Sequence, residues 1–160
     1  MQIKITLPRN RADLGRLELR EDDRVVFACA CYAKADSIAA AQAGNPTRDT
    51  FRRNGDSPTG QYDGTIDPPR VPSADPARAN WLRSFGQWPT IRMTPTGGNA
   101  LTAWNNGRRG LLIHGGHLSP HGTLRPTNGC IRIEDKHQNA LLYELQKRGV
   151  TKFPIEVIEA

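Results

Sequence analysis

Two short apolar runs, each abutting glycine, constrain this chain more than any other feature. They are Gly110-Leu111-Leu112-Ile113-His114-Gly115-Gly116 and, with Cys130 sixteen positions after His114, Gly129-Cys130-Ile131-Arg132-Ile133. Apolar runs this short read as buried strands. Joined by a Gly/Pro-rich loop, two adjacent strands would present an imidazole and a thiol at neighbouring ends. A thiol attacks a carbonyl only as thiolate, so it needs a base within reach, and histidine supplies one near neutral pH. Singly, Cys130 would be a buried strand cysteine and His114 a satisfied core histidine. The spacing and the glycines together make them a candidate nucleophile and general base.

The neighbouring residues take roles in the same chemistry. Gly129 lets a substrate carbonyl approach the backbone, and the amides near Cys130 could hold an oxyanion. Arg132 lies two residues past Cys130, so on a strand it shares the nucleophile's face. There it could clamp a substrate carboxylate, or else pair at the surface with Glu134. Thr127 supports the loop by hydrogen bonding. His117 and His121, with His114 and Cys130, offer a rival zinc constellation, but Gly115, Gly116, Pro120 and Gly122 break any helical ligand spacing. His137 reads as solvated.

The set His114-Gly115, Gly122, Thr127 and Gly129-Cys130-Ile131-Arg132 resembles the signature of the L,D-transpeptidase (YkuD-type) catalytic domain. Ser57-Pro58-Thr59-Gly60-Gln61-Tyr62 is similar to that family's Thr-Pro-x-Gly-x-Tyr/Phe stretch, and weaker similarity runs from about Arg16 to Ile158. The resemblance implies a fold that is mainly β with peripheral helices, a mixed β-sandwich with its active site in a cleft at the open edge. It implies that the Gly115 carbonyl orients His114, and that Cys130 forms a thioester with a peptidoglycan stem peptide, with no cofactor. An amine, a free D-amino acid or water would then decide between cross-linking, exchange and L,D-carboxypeptidase outcomes. Asn128 departs from the family, which commonly has histidine there; asparagine hydrogen-bonds but cannot titrate. Antibacterial effectors resemble this family too, which would bring an immunity protein as partner. A non-enzymatic wall-binding module and a zinc-dependent hydrolase are the competing readings.

At 160 residues the chain fits one catalytic domain spanning 1–160. No apolar run approaches the roughly 20 residues that cross a bilayer. The net charge of +6 favours anionic partners, yet the basic residues are scattered and aromatics make up only 6%, so a nucleic-acid partner is not expected. Cys29 and Cys31 share one face of a strand, where packing is the expected role. The first residues lack a secretory h-region, although the implied substrate lies in the periplasm or cell wall. Either a removed leader or export by a specialised secretion system would reconcile the two.

Along the chain, Leu17-Glu18-Leu19 and Arg24–Tyr32 read as a hairpin and Asp36–Ala43 as a short helix. Arg48–Pro72 reads mostly as a loop that could cover the cleft, with Gly60-Gln61-Tyr62 placed to touch the sheet, and Asp75–Phe85 as a helix. Trp88–Thr94 and Leu101–Trp104 read as strands about a Gly97-Gly98 turn. A helix capped by Asp135 would bury Ala140, Leu141, Leu142 and Leu145, and Phe153–Ile158 closes the chain as a strand.

Overall fold

The computed structural model describes residues 1–68 and 74–160. The chain opens with β1 (Gln2–Leu7), where Ile3, Ile5 and Leu7 alternate inward and are wholly buried. This strand is not among the sequence expectations, although its period of two is plain. The expected hairpin follows as β2 (Gly15–Glu21) and β3 (Arg24–Cys31). Its strands pair antiparallel about Asp22-Asp23, with Leu17 opposite Cys29 and Leu19 opposite Phe27. Cys29 and Cys31 are free, buried thiols packed in the core.

The remaining elements are α1 (Ser37–Gln42), β4 (Gly60–Ile66), α2 (Arg78–Phe85), β5 (Ile91–Gly97), α3 (Gly98–Asn105), β6 (Leu112–His114), β7 (Ile131–Arg132), α4 (Asp135–Lys147) and β8 (Lys152–Glu159). The strands form one eight-stranded sheet in the order β3-β2-β1-β8-β4-β5-β6-β7. Pairing is parallel at β1·β8 and β6·β7 and antiparallel elsewhere, so the sheet is mixed. The sheet curls until its edges meet. Tyr32, just past β3, donates its amide to the Arg132 carbonyl at 2.8 Å, and Arg132 returns one to Tyr32 at 2.9 Å. The fold is therefore mainly β and nearly barrel-like, with helices at the periphery. Its apolar filling comes from Ile3, Ile5, Leu17, Leu19, Tyr62, Ile91, Ile113, Ile131, Ile155 and Val157, joined by Leu141 and Leu145 of α4. Each such side chain contributes about 1.5–3 kcal/mol relative to exposure.

Several expectations need correction. Gly60–Ile66 is a strand between β8 and β5, not loop; its Gly, Asp and Thr residues mask a period of two in which Tyr62 and Gly64 turn inward. Positions 69–72 of the expected loop lie outside the described residues. Leu101–Trp104 is helical, because Ala100 and Ala103, three apart, are the buried pair and the Ala100 amide donates to the Thr59 carbonyl at 2.8 Å. The strand before it runs Ile91–Gly97 rather than Trp88–Thr94. At α4 the N-cap is Glu134, without a side-chain cap bond, and Asp135 sits in the first turn; Gln138 is buried while Ala140 is half-buried.

Asp36 caps α1 as the sequence suggests, accepting the Ala39 amide at 2.8 Å. The second helix does not start at Asp75-Pro76: α2 begins at Arg78 with Ala77 as N-cap and no side-chain cap bond, and Asp75 instead accepts the Ala77 amide at 2.8 Å in the turn before it. Among the described residues, no helix is long and apolar enough to cross a membrane.

Candidate active site

β6 and β7 run parallel with Ile113 opposite Ile131 and His114 opposite Arg132. Side chains alternate along a strand, so Ile113 and Ile131 turn into the core while His114, Arg132 and Cys130 share the other face. They line one cleft of about 610 Å³, together with Arg108, Thr127, Asn128, Phe85 and Arg125. The register thus puts the imidazole and the thiol at neighbouring strand ends in one cleft.

His114 is 2% exposed. Its Nδ1 lies 2.7 Å from the Gly115 carbonyl. A carbonyl can only accept, so Nδ1 carries the proton and Nε2 keeps its lone pair. The Phe85 ring packs 4.8 Å from the imidazole, tilted by 54°. Burial, then the Arg132 charge, push the imidazole down to about 3, against the opposing pull of the Gly115 hydrogen bond. At neutral pH the ring is an uncharged base.

Cys130 is equally enclosed. Burial raises its thiol to about 11, while the Leu112 amide, Arg108 and Arg132 pull the other way. Its Sγ–H donates to the Gly110 carbonyl at 3.5 Å, not to His114. The resting pair is thus thiol and neutral imidazole, each hydrogen-bonded to a separate backbone carbonyl.

The peptide before the thiol is held from three sides. Thr127 Oγ1 accepts the Gly129 amide at 3.0 Å and donates to the Cys130 carbonyl at 3.0 Å, so its supporting role is visible. The Gly129 carbonyl accepts from Ser57 Oγ at 2.7 Å. Gly129 has φ +111, and a side chain there would strike Arg108 Nη2 and the Gly55 carbonyl. Asn128 is exposed on the cleft rim.

Arg132 is 4% exposed and forms no surface pair with Glu134, which instead meets Lys136 at 3.4 Å. Its Nη1 donates to the Gly115 carbonyl at 3.1 Å, so one carbonyl serves both Arg132 and His114. Among the described residues, its Nε is buried without a hydrogen-bond partner. Burial and the Arg125 charge lower it to about 10.

The other histidines go elsewhere. His117 lines a separate hollow of about 450 Å³ with Arg83 and Arg125, and His121 lies in an exposed turn. Among the described residues, no three His, Cys, Asp or Glu side chains gather as metal ligands, so the rival His/Cys constellation is not assembled. His137 is not simply solvated: its ring meets Phe27 edge-on at 6.3 Å. Arg108 and Ser57 were missed as site residues by sequence reading; an Arg-Arg-Gly directly before the β6 run was the only local hint of the first.

The fold and cleft define a mainly β domain with a Cys/His face at the closing edge of its sheet. A similar solved structure is that of the Ldtfm–avibactam carbamoyl enzyme, an L,D-transpeptidase, with a TM-score of 0.50 and 13% identity over 99% of this chain and 49% of that one. The chain thus spans about half the length of that structure, and the likeness is one of fold. No protein-family model and no curated protein matches the chain.

Proposed function

We propose that this chain is a cysteine acyl transferase acting on peptidoglycan stem peptides. What carries the reading is the β6·β7 register, which gives His114 and Cys130 one face of one cleft. The likeness in fold to an L,D-transpeptidase supports it.

In the proposed reaction Cys130 gives its proton to His114 Nε2, and Sγ attacks the carbonyl before the terminal D-residue of the donor. His114 returns the proton to the departing amine, and a thioester remains on Cys130. The acceptor's amine or water then attacks that thioester, loses its proton to His114, and expels the thiolate. Gly115 keeps the imidazole in the Nδ1–H tautomer throughout. Arg132, with its orphan Nε, offers the donor carboxylate a partner. Gly129 lets the carbonyl approach and the Cys130 amide receives the oxyanion; Thr127, which holds the Gly129 amide, fixes that loop, and Asn128 meets substrate at the rim. Both groups rest uncharged because burial penalises either charge alone, so the pair ionises together when substrate expels the remaining water and the thiol turns from Gly110.

Incubation of the protein with purified muropeptides, read by mass spectrometry, tests the reading. Release of the terminal D-residue by wild type and not by Cys130→Ala is the expected result. Binding without turnover would make the chain a wall-binding module instead. The finer expectation, an exported antibacterial effector with an immunity partner, rests on the sequence resemblance. Growth arrest on directing the wild-type chain, but not Cys130→Ala, to the periplasm is its test.

A further inference from the structure

Arg108 is 4% exposed, yet among the described residues its guanidinium hydrogen-bonds only main-chain carbonyls. Nη1 donates to Thr50 at 2.6 Å and Asp56 at 3.3 Å, and Nη2 to Gly55 at 3.2 Å. None of these acceptors carries charge. The Asp56 carboxylate is engaged elsewhere, accepting from the Ala35 amide at 2.8 Å and Arg48 Nε at 3.1 Å. A buried guanidinium without a paired carboxylate is unfavourable. Its remaining charged or titratable neighbours are Asp49, Tyr62, which burial keeps neutral, and Cys130.

The position of this charge is set by the backbone around it. Nη2 lies against Gly129, where any side chain would collide with it, and the next residue is Cys130. The carbonyls of the 50–56 segment hold the cation behind the peptide that leads into the thiol. The cleft that holds Cys130 is also lined by Arg108, Arg132 and His114, and its other charged residues are Asp36, Arg53, Arg109 and Arg125.

Both arginines bear on the proton transfer. Moving a proton from Cys130 to His114 makes an anion at one and a cation at the other. Arg132 favours the anion but disfavours the imidazolium, because its charge also bears on His114. Arg108, set against Gly129, bears on Cys130 from the backbone side and favours the anion there.

We propose that Arg108 is a positioning residue: the fixed cation, braced on the 50–56 carbonyls, that balances the negative charge left on Cys130 Sγ when its proton passes to His114. The inference rests on Cys130 being the nucleophile, but its test needs no substrate.

The experiment is the pH profile of iodoacetamide alkylation at Cys130, mapped by peptide mass spectrometry to separate it from Cys29 and Cys31. Arg108→Gln keeps amide donors but no charge; Arg108→Lys keeps the charge. For Arg108→Gln the midpoint is expected to move up by about one pH unit, equivalent to roughly tenfold slower alkylation at fixed pH below it, with Arg108→Lys close to wild type. A profile for Arg108→Gln superimposed on wild type overturns the proposal. So does an equal shift in Arg108→Lys, which would assign Arg108 to bracing the loop alone. If Arg108→Gln does not fold, Arg132→Gln protein decides by comparing its S-carboxymethyl and S-carbamidomethyl adducts at Cys130. An anionic adduct melting at or above the neutral one supports a resident cation, and one melting lower overturns it. A shifted profile with no turnover on muropeptides would sink the proposed function and leave this inference standing.

Discussion

Ser57 Oγ donates to the Gly129 carbonyl at 2.7 Å, tying residues 72 positions apart and fixing the peptide that precedes Cys130. Both groups are buried. Replacing Ser57 by alanine leaves the Gly129 carbonyl without this donor, at a cost of about 1–3 kcal/mol. Chemical denaturation should show a loss in that range. Turnover should fall further than stability implies, since the thiol's backbone loses a restraint. An unchanged midpoint would mean that the bond contributes nothing net.

Stability should depend on pH through His114. Its folded value of about 3 lies below the ordinary value near 6.5, so the unfolded chain binds a proton that the folded chain refuses. This contribution is fully present above about pH 6.5 and is lost as pH falls toward 3, at about 1.4 kcal/mol per unit. Denaturation of wild type and His114→Gln from pH 7 to pH 4 should show the variant less acid-sensitive. Parallel curves would remove the buried neutral imidazole from the account.

Arg132→Gln should separate binding from basicity. Loss of its charge lifts one of the two influences that push His114 down, so the imidazole should titrate at higher pH by NMR. If the guanidinium also clamps the donor carboxylate, KM should rise about tenfold or more for a donor with a free terminal carboxylate. It should rise little for the carboxamide analogue.

Gly115→Ala tests the carbonyl shared by His114 and Arg132. A β-carbon there would run into Asp135 Oδ1 and crowd the Asp135 Cα. The loop must shift, and a destabilisation of about 1–3 kcal/mol is expected. Activity should drop by at least tenfold, because the Nδ1–H acceptor moves with the loop. Wild-type activity in a folded variant would show that the carbonyl's position is unimportant.

The hairpin was legible because Leu17, Leu19 and Phe27 alternate on either side of an acidic turn, and α1 because Asp36 and Gly44 mark its ends. The neighbouring strand ends that carry His114 and Cys130 were legible from two short apolar runs. α3 was not, since Gly97-Gly98 imitates a hairpin turn while the deciding facts, the burial of Ala100 and Ala103 and the Ala100 amide donating to the Thr59 carbonyl, are tertiary. Nor was β4, whose glycines and polar residues hide its central place between β5 and β8. Arg108 escaped notice for a related reason: its acceptors lie 52 to 58 positions away and are backbone atoms, which leave no side-chain pattern to read.

The most direct measurement is intact-mass analysis of acid-quenched protein after exposure to tetrapeptide muropeptides, followed by peptide mapping. An acyl adduct on Cys130 in wild type, absent in Cys130→Ala along with release of the D-residue, is the predicted result. Undiminished product from Cys130→Ala would contradict the account at its root.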